Sequence, residues 1–288
     1  MKISLSTYAF DKYIKEGKLN QLTLLKKAKE LGFDAVEYTL LTPPENVSVN
    51  DWAKSIKEEA DKLGIEIVAY TVGAKLYLPN EEDLQKEVDE VISKLETASI
   101  LGAKIFRHDV TFLYYDTLDG KSFDRMLPYF KENAIKITER AKELGIKTCT
   151  ENHGNIAQDS ARIERLYNAV NNENYGVLID VGNFACVDED SAKAVSLLAP
   201  YCVHAHVKDF LYRPYKKASK KGFFKTRACN YLKGCAIGDG IIPVKQCLSI
   251  LKEVGYDGYV TLEYEGDKDC IKEIAKGVKR LKKYLNEI

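Results

Sequence analysis

No uninterrupted apolar run in the 288 residues approaches the roughly 20 that a membrane-spanning helix needs. Net charge is missing too. Forty-three basic side chains balance 43 acidic ones, which argues against bulk attraction to nucleic acid or anionic lipid and leaves room only for a local patch. The seven cysteines (149, 186, 202, 229, 235, 247 and 270) contain no Cys-x-x-Cys pair. That odd, scattered set excludes a disulfide framework and a zinc knuckle, and it predicts a reduced, cytoplasmic chain. No signal-peptide core precedes Met1–Leu5, which enters a strand-like alternation directly. The dinucleotide fingerprint Gly-x-Gly-x-x-Gly is absent after that first run, where Leu5-Ser6-Thr7-Tyr8-Ala9-Phe10 stands instead.

What is present is a globular composition, 45% hydrophobic and 30% charged. The length sits near the upper limit for one hydrophobic core, so it fits two ordinary domains or one large barrel. One phrase recurs: a helical pattern, then Leu-Gly or Val-Gly, then a β-rich run, at 31–32, 63–64, 101–102, 144–145 and 254–255. Glycine commonly ends a helix in the left-handed conformation while the apolar residue before it packs the last turn inward. Strands are predicted at 2–8, 35–39, 65–72, 103–110, 146–151, 175–181, 202–207 and 258–263. Helical patterns lie around 20–31, 50–63, 81–101, 123–144, 159–171, 189–199, 243–254 and 268–285.

Eight strands alternate with eight helices. Such alternation implies a parallel sheet with right-handed crossovers, and eight units in this length match a closed (β/α)₈ barrel. A doubly wound open sheet is the rival, without its glycine signature. The expectation is therefore an α/β chain whose residues 1–288 form a single TIM-barrel domain. A long, irregular and basic segment at 209–242, after strand seven, interleaves Lys and Arg with Phe and Tyr. The segment has three readings: a solvated charge run, a lid over an anionic substrate, or a nucleic-acid contact.

In a barrel of this kind the active site lies at the C-terminal ends of the strands. Strand five ends in Thr150-Glu151-Asn152-His153, strand six in Ile179-Asp180-Val181-Gly182-Asn183, strand seven carries His204-Ala205-His206-Val207-Lys208-Asp209, and strand eight ends in Leu262-Glu263. Four successive strands thus deliver Glu, Asp, His and Glu to one rim. Three carboxylates and an imidazole around one point repel unless a cation sits between them. This donor set suits Mn²⁺, Mg²⁺, Co²⁺ or Zn²⁺.

On these motifs, with Leu31-Gly32-Phe33-Asp34-Ala35-Val36-Glu37, Gly238-Asp239-Gly240-Ile241-Ile242-Pro243 and Gly255-Tyr256-Asp257-Gly258-Tyr259, the whole chain resembles the sugar isomerase/epimerase superfamily with the xylose-isomerase-like barrel. That superfamily includes ketose 3-epimerases, hydroxypyruvate isomerase and inosose dehydratase. The resemblance implies one divalent ion, Mn²⁺ first, held by Glu151, Asp180, His206 and Glu263. It further implies that Glu151 and Glu263 exchange a proton beside a substrate carbonyl. The activity implied is isomerisation or epimerisation of a sugar or sugar derivative, phosphorylated or free. Inosose-type dehydration and a carbohydrate-binding barrel without turnover are the alternatives. Asn183 stands where ketose 3-epimerases commonly carry a substrate-contacting His. Asn still donates and accepts hydrogen bonds but cannot titrate, which argues against a free ketohexose.

His108, His153, Asn183, Lys208 and Glu37 complete the expected substrate contacts. His204 shares the face of His206 but sits deeper, where a satisfied core histidine is expected. Apurinic-site endonucleases share this barrel but hold three zinc ions, and four histidines (108, 153, 204 and 206) equip the chain poorly for that. The expected partner is a small-molecule sugar, with no nucleic acid and no membrane, and a homodimer is compatible with exposed barrel helices.

Overall fold

The computed structural model describes residues 1–112, 122–216 and 221–288. Its strands run in chain order as β1 (Lys2–Ser6), β2 (Ala35–Thr39), β3 (Glu66–Val72), β4 (Ile105–His108), β5 (Lys147–Glu151) and β6 (Tyr175–Asp180). They continue as β7 (Cys202–Val207), β8 (Asp209–Arg213), β9 (Phe224–Lys225), β10 (Tyr231–Cys235) and β11 (Tyr259–Leu262). A closed barrel in the order β1-β11-β7-β6-β5-β4-β3-β2 contains all eight expected strands. Every pair in it is parallel, and β1 meets both β2 and β11 to close the ring. This is the predicted (β/α)₈ architecture.

The helices that return the chain between strands are Leu24–Glu30, Val49–Leu63, Glu81–Leu101, Phe123–Glu143, Ser160–Val170, Ser191–Leu198, Val244–Glu253 and Cys270–Glu287. Local chemistry sets their ends. Ser48, Asn80, Asp159, Asp190 and Asp269 each cap a first turn by accepting a backbone N–H with the side chain. At the other end, all five glycines of the recurring phrase have positive φ, between 60° and 86°. No helix is long and apolar enough to cross a membrane among the described residues.

Two expectations need correction. The first strand stops at Ser6, and Thr7–Phe10 forms a 3₁₀ turn leading into a short helix, Asp11–Lys15. Ser6 is the last β1 residue paired with β2, so the ladder ends there. The segment at 209–242 is not irregular, because β8, β10 and β9 form a three-stranded antiparallel sheet. Phe210 and Leu232 are buried, whereas Tyr212 and Phe224 stay substantially exposed. The Asp209 carboxylate closes the segment by accepting backbone N–H bonds from Phe210, Gly238, Gly240 and Ile242 at 2.8–3.0 Å. Lys217 and Lys220, counted in the expected basic lid, lie outside the described residues.

Strand alternation sorts the side chains into an outer and an inner set. Leu5, Val36, Tyr38, Phe106, Ile179, Val207 and Val260 join the large core shared with the helices. Inside the barrel, Ala35, Val68 and Ala69 form a small apolar plug with Ile105 and Tyr259. Farther along the same strands the interior turns polar: Ser4, Thr261, His204 and Glu37 are buried, followed by Arg107, Glu151, Asp180, His206 and Glu263.

Candidate active site

Each acidic residue owes its place to a strand end. Glu151 is the last residue of β5 and Asp180 the last of β6, while Glu263 directly follows β11. His206 lies one residue before the end of β7. Asp180 is firmly anchored. Its Oδ1 accepts from the backbone of Gly182 and Asn183 at 2.8 and 3.0 Å, and its own backbone exchanges two hydrogen bonds with the Asn152 side chain. Gly182 permits a close crossing, since a Cβ there would meet Lys208 Cγ at 2.5 Å.

The expected quartet converges. His206 Nδ1 stands 3.4 Å from Glu263 Oε1 and 3.9 Å from both Glu151 Oε1 and Asp180 Oδ2. Neither His206 Nδ1 nor Asp180 Oδ2 has a hydrogen-bond partner, although both are buried. Ligands bonded to one ion at about 2.0–2.2 Å lie roughly 3–3.5 Å apart. The distances from His206 Nδ1 come near that range, and donor atoms of Glu151, Asp180 and His206 lie within 4.8 Å of one another. Two unpartnered buried atoms facing oxygen donors at such spacing fit a divalent cation. A second set capable of holding an ion, Glu37, His204 and His206, lies beside the set Glu151, Asp180 and His206. In the former the donors already bond one another: Glu37 Oε2 accepts from His204 Nε2 at 3.0 Å and from His206 Nε2 at 2.7 Å.

Protein cations neutralise the carboxylates as well, a solution the sequence reading did not foresee. Arg107 Nη2 pairs with Glu151 Oε2 at 2.6 Å and Asp109 Oδ1 at 2.9 Å. Lys208 Nζ lies 2.8 Å from Glu263, 2.6 Å from Glu265 and 2.9 Å from Asp180 Oδ2. The last contact lacks hydrogen-bond geometry, so Asp180 Oδ2 counts as unpartnered despite the nearby charge. Lys208 therefore meets carboxylates of the site, while the neighbouring Asp209 is engaged by backbone N–H groups.

These neighbours shape the proton affinities. Burial pushes Asp180 up to about 6 against the pull of Lys208. Burial also acts on Glu263, but Lys208 and His206 outweigh it and hold that carboxyl down at about 2. For His206, burial disfavours the charged ring, yet Glu37 and Glu263 raise it to about 10. His153 is raised as well: burial lowers it, while Asp109, bonded to Nδ1 at 3.0 Å, more than compensates.

A cavity of about 270 Å³ opens above this cluster, lined by Tyr8, Thr39, Thr71, Arg107, Phe112, Glu151, His153, His206, Lys208, Glu263 and Glu265. It contains both glutamates proposed to move protons. Among the expected substrate contacts, His153 and Lys208 reach the wall. Asn183 does not line it but donates to Glu151 Oε1 at 2.7 Å, thereby orienting that carboxylate. Glu37 is fully buried beneath His206 and lies outside the lining. His108 is also fully buried. Its ring packs near Phe106 and Tyr175, and burial lowers its pKa to about 4.

Sequence reasoning passed over Arg107, Asp109, Tyr8, Phe112 and Glu265. The signal for Arg107 was alternation, because on a strand whose Phe106 and His108 face the helices, residue 107 must face the barrel. Glu265 lies two residues beyond Glu263 and joins it on Lys208. Tyr8 and Phe112 sit on connections whose course no local pattern specified.

Comparison with known proteins agrees with the barrel fold. The sequence profile of the xylose isomerase-like TIM barrel family matches residues 25–285. L-ribulose-5-phosphate 3-epimerase UlaE of Escherichia coli is 24% identical over 266 residues, covering 88% of this chain and 86% of that protein. Among solved structures, the IOLI protein with a bound zinc atom superposes with a TM-score of 0.78 at 16% identity, over 100% of this chain and 99% of that one. An L-ribulose 3-epimerase superposes with a TM-score of 0.72 at 14% identity, over 100% of this chain and 95% of the other.

Proposed function

The chain belongs to the xylose isomerase-like TIM barrel family, and on that premise we propose that it is a divalent-metal-dependent isomerase or epimerase of a sugar or sugar derivative. The observation that carries this reading is the unpartnered His206 Nδ1 facing Glu151, Asp180 and Glu263 beneath a cavity that both glutamates line. Glu151, Asp180, His206 and Glu263 would hold the ion. When bound, a divalent ion polarises a substrate carbonyl and acidifies the neighbouring C–H. Mn²⁺ is the first candidate for this mostly oxygen set, ahead of Mg²⁺, Co²⁺ and Zn²⁺.

The protein's own groups supply the proton chemistry. One glutamate takes the proton beside the carbonyl, giving an enediolate of the sugar, and a glutamate returns a proton to one of its carbons. Return to the same carbon from the opposite face epimerises, and return to its neighbour isomerises. Arg107 and Asn183 hold Glu151 in place for this work, and Lys208 holds Glu263. Phe112, against the His153 ring at 5.0 Å, and Tyr8 help to exclude water from the mouth. The similarity to an enzyme acting on L-ribulose 5-phosphate makes pentuloses and their phosphates the first substrates to try.

Inosose-type dehydration is the second reading, favoured by one observation. His153, oriented through Nδ1 by Asp109, presents its ring to the cavity, where it can give a proton to a departing hydroxyl. Incubating ketoses, ketose phosphates and inososes with the Mn²⁺-treated protein in D₂O tests both. Deuterium beside the carbonyl with the carbon skeleton intact marks isomerisation or epimerisation, whereas loss of water marks the lyase. In Glu151→Gln, exchange should fall about 10²–10⁴-fold with the circular dichroism spectrum unchanged. Full exchange in that variant rejects Glu151 as an acid–base group.

A further inference from the structure

Glu37 closes the Leu31–Glu37 motif, yet neither the cavity wall nor the proton transfers account for it. It is fully buried, and its carboxylate is flanked by two imidazoles from β7. We infer that Glu37, supported by His204, is a positioning residue that keeps the proton of His206 on Nε2 and turns Nδ1 toward Glu151, Asp180 and Glu263.

The argument is geometric. A carboxylate oxygen can only accept, so the 2.7 Å contact requires a hydrogen on His206 Nε2. The same bond fixes the ring's rotation. A half-turn about Cβ–Cγ would exchange Nδ1 for a carbon at the three carboxylates and would carry Nε2 away from Glu37. His204 packs edge to face against the His206 ring, the two centroids 5.5 Å apart. His204 Nε2 also contacts Thr261 Oγ1 at 2.9 Å, and Thr261 contacts Ser4 Oγ at 2.6 Å. Four strands, β1, β2, β7 and β11, therefore contribute to one buried hydrogen-bonded support. Carboxylates that bond the second nitrogen of a metal-ligating imidazole fix its tautomer and strengthen it as a ligand.

This inference rests on the metal reading above, and binding measured with and without Glu37 separates the two. Calorimetric titration of the full chain with Mn²⁺ should show about one ion bound. Glu37→Leu should weaken binding about 10–100-fold. Glu37→Gln, whose amide oxygen still accepts from Nε2–H, should lose less than about tenfold and supplies a folded comparison if the leucine variant is unstable. In the Zn²⁺-loaded wild type, ¹⁵N-resolved spectra should place the His206 ring proton on Nε2. No ion bound by the wild type rejects the metal reading and this inference with it. Normal binding by the wild type, together with equal affinity in both variants or a ring proton on Nδ1, rejects the role of Glu37 alone.

Discussion

The two walls of the cavity solve the same electrostatic problem with different cations. On the β4–β5 side, the Arg107 guanidinium bridges Glu151 and Asp109, and Asn183 adds a bond to Glu151. On the β7–β11 side, the single ammonium of Lys208 serves Glu263, Glu265 and Asp180 from the tip of a flexible chain. A planar fork sets direction as well as charge, whereas an ammonium is a point charge that can swing away. The difference teaches that Glu151 is built as a fixed group. Glu263 and Asp180 are neutralised by a cation that another cation can replace.

The largest effect expected from this contrast is on stability. Arg107→Met leaves Glu151 and Asp109 buried without their counter-ion and should cost about 3–5 kcal/mol in denaturant unfolding. A loss under 1 kcal/mol would erase the distinction between the walls. Asp109→Asn should cost less, about 1.5–3 kcal/mol at neutral pH, because Arg107 keeps Glu151. For Asp109 itself, burial raises its pKa, but Arg107 and His153 outweigh burial and hold the folded value below the usual carboxylate range. The stability it adds is therefore fully present above the unfolded value of about 3.9 and is lost as pH falls through the folded value. The gap between wild type and Asp109→Asn should be widest at about pH 5–6, narrowing below about pH 4 as Asp109 protonates and again as pH rises through the raised value of His153. A gap that keeps widening below about pH 4 would contradict the pairing. The smallest effect belongs to Lys208→Met, which removes the competing charge beside Asp180 and Glu263. Mn²⁺ affinity should rise by about tenfold, close to 1.4 kcal/mol, as read by calorimetry. Weaker binding would show that Lys208 supports the ion rather than competes with it.

Much of this architecture was legible before any coordinates. Leu-Gly phrases located helix ends, and strand ends in Glu151, Asp180 and Glu263 marked the rim. Three features escaped the sequence reading. His108 was named as a substrate contact and Arg107 was not, although alternation places residue 107 inside. The 209–242 segment hid three short strands because their burial does not alternate cleanly: β8 buries Asp209 and Phe210 and then exposes Leu211 and Tyr212. Lys208 was expected at the substrate and does line the cavity, but its three carboxylate partners went unseen because a sequence shows each carboxylate separately, without the distances that let one ammonium serve three.

The order of residues determined the eight strand–helix units, their caps and the acid-bearing strand ends, because those depend on hydrogen bonds and side-chain periods spanning a few positions. Only closure of the barrel decided how the acids are neutralised and what lies beneath His206. Glu37 and His206 are 169 positions apart and meet because β1 pairs with both β2 and β11, bringing the two ends of the sheet together. Coulomb energy depends on separation in space, and no local pattern encodes a distance across the inside of a ring.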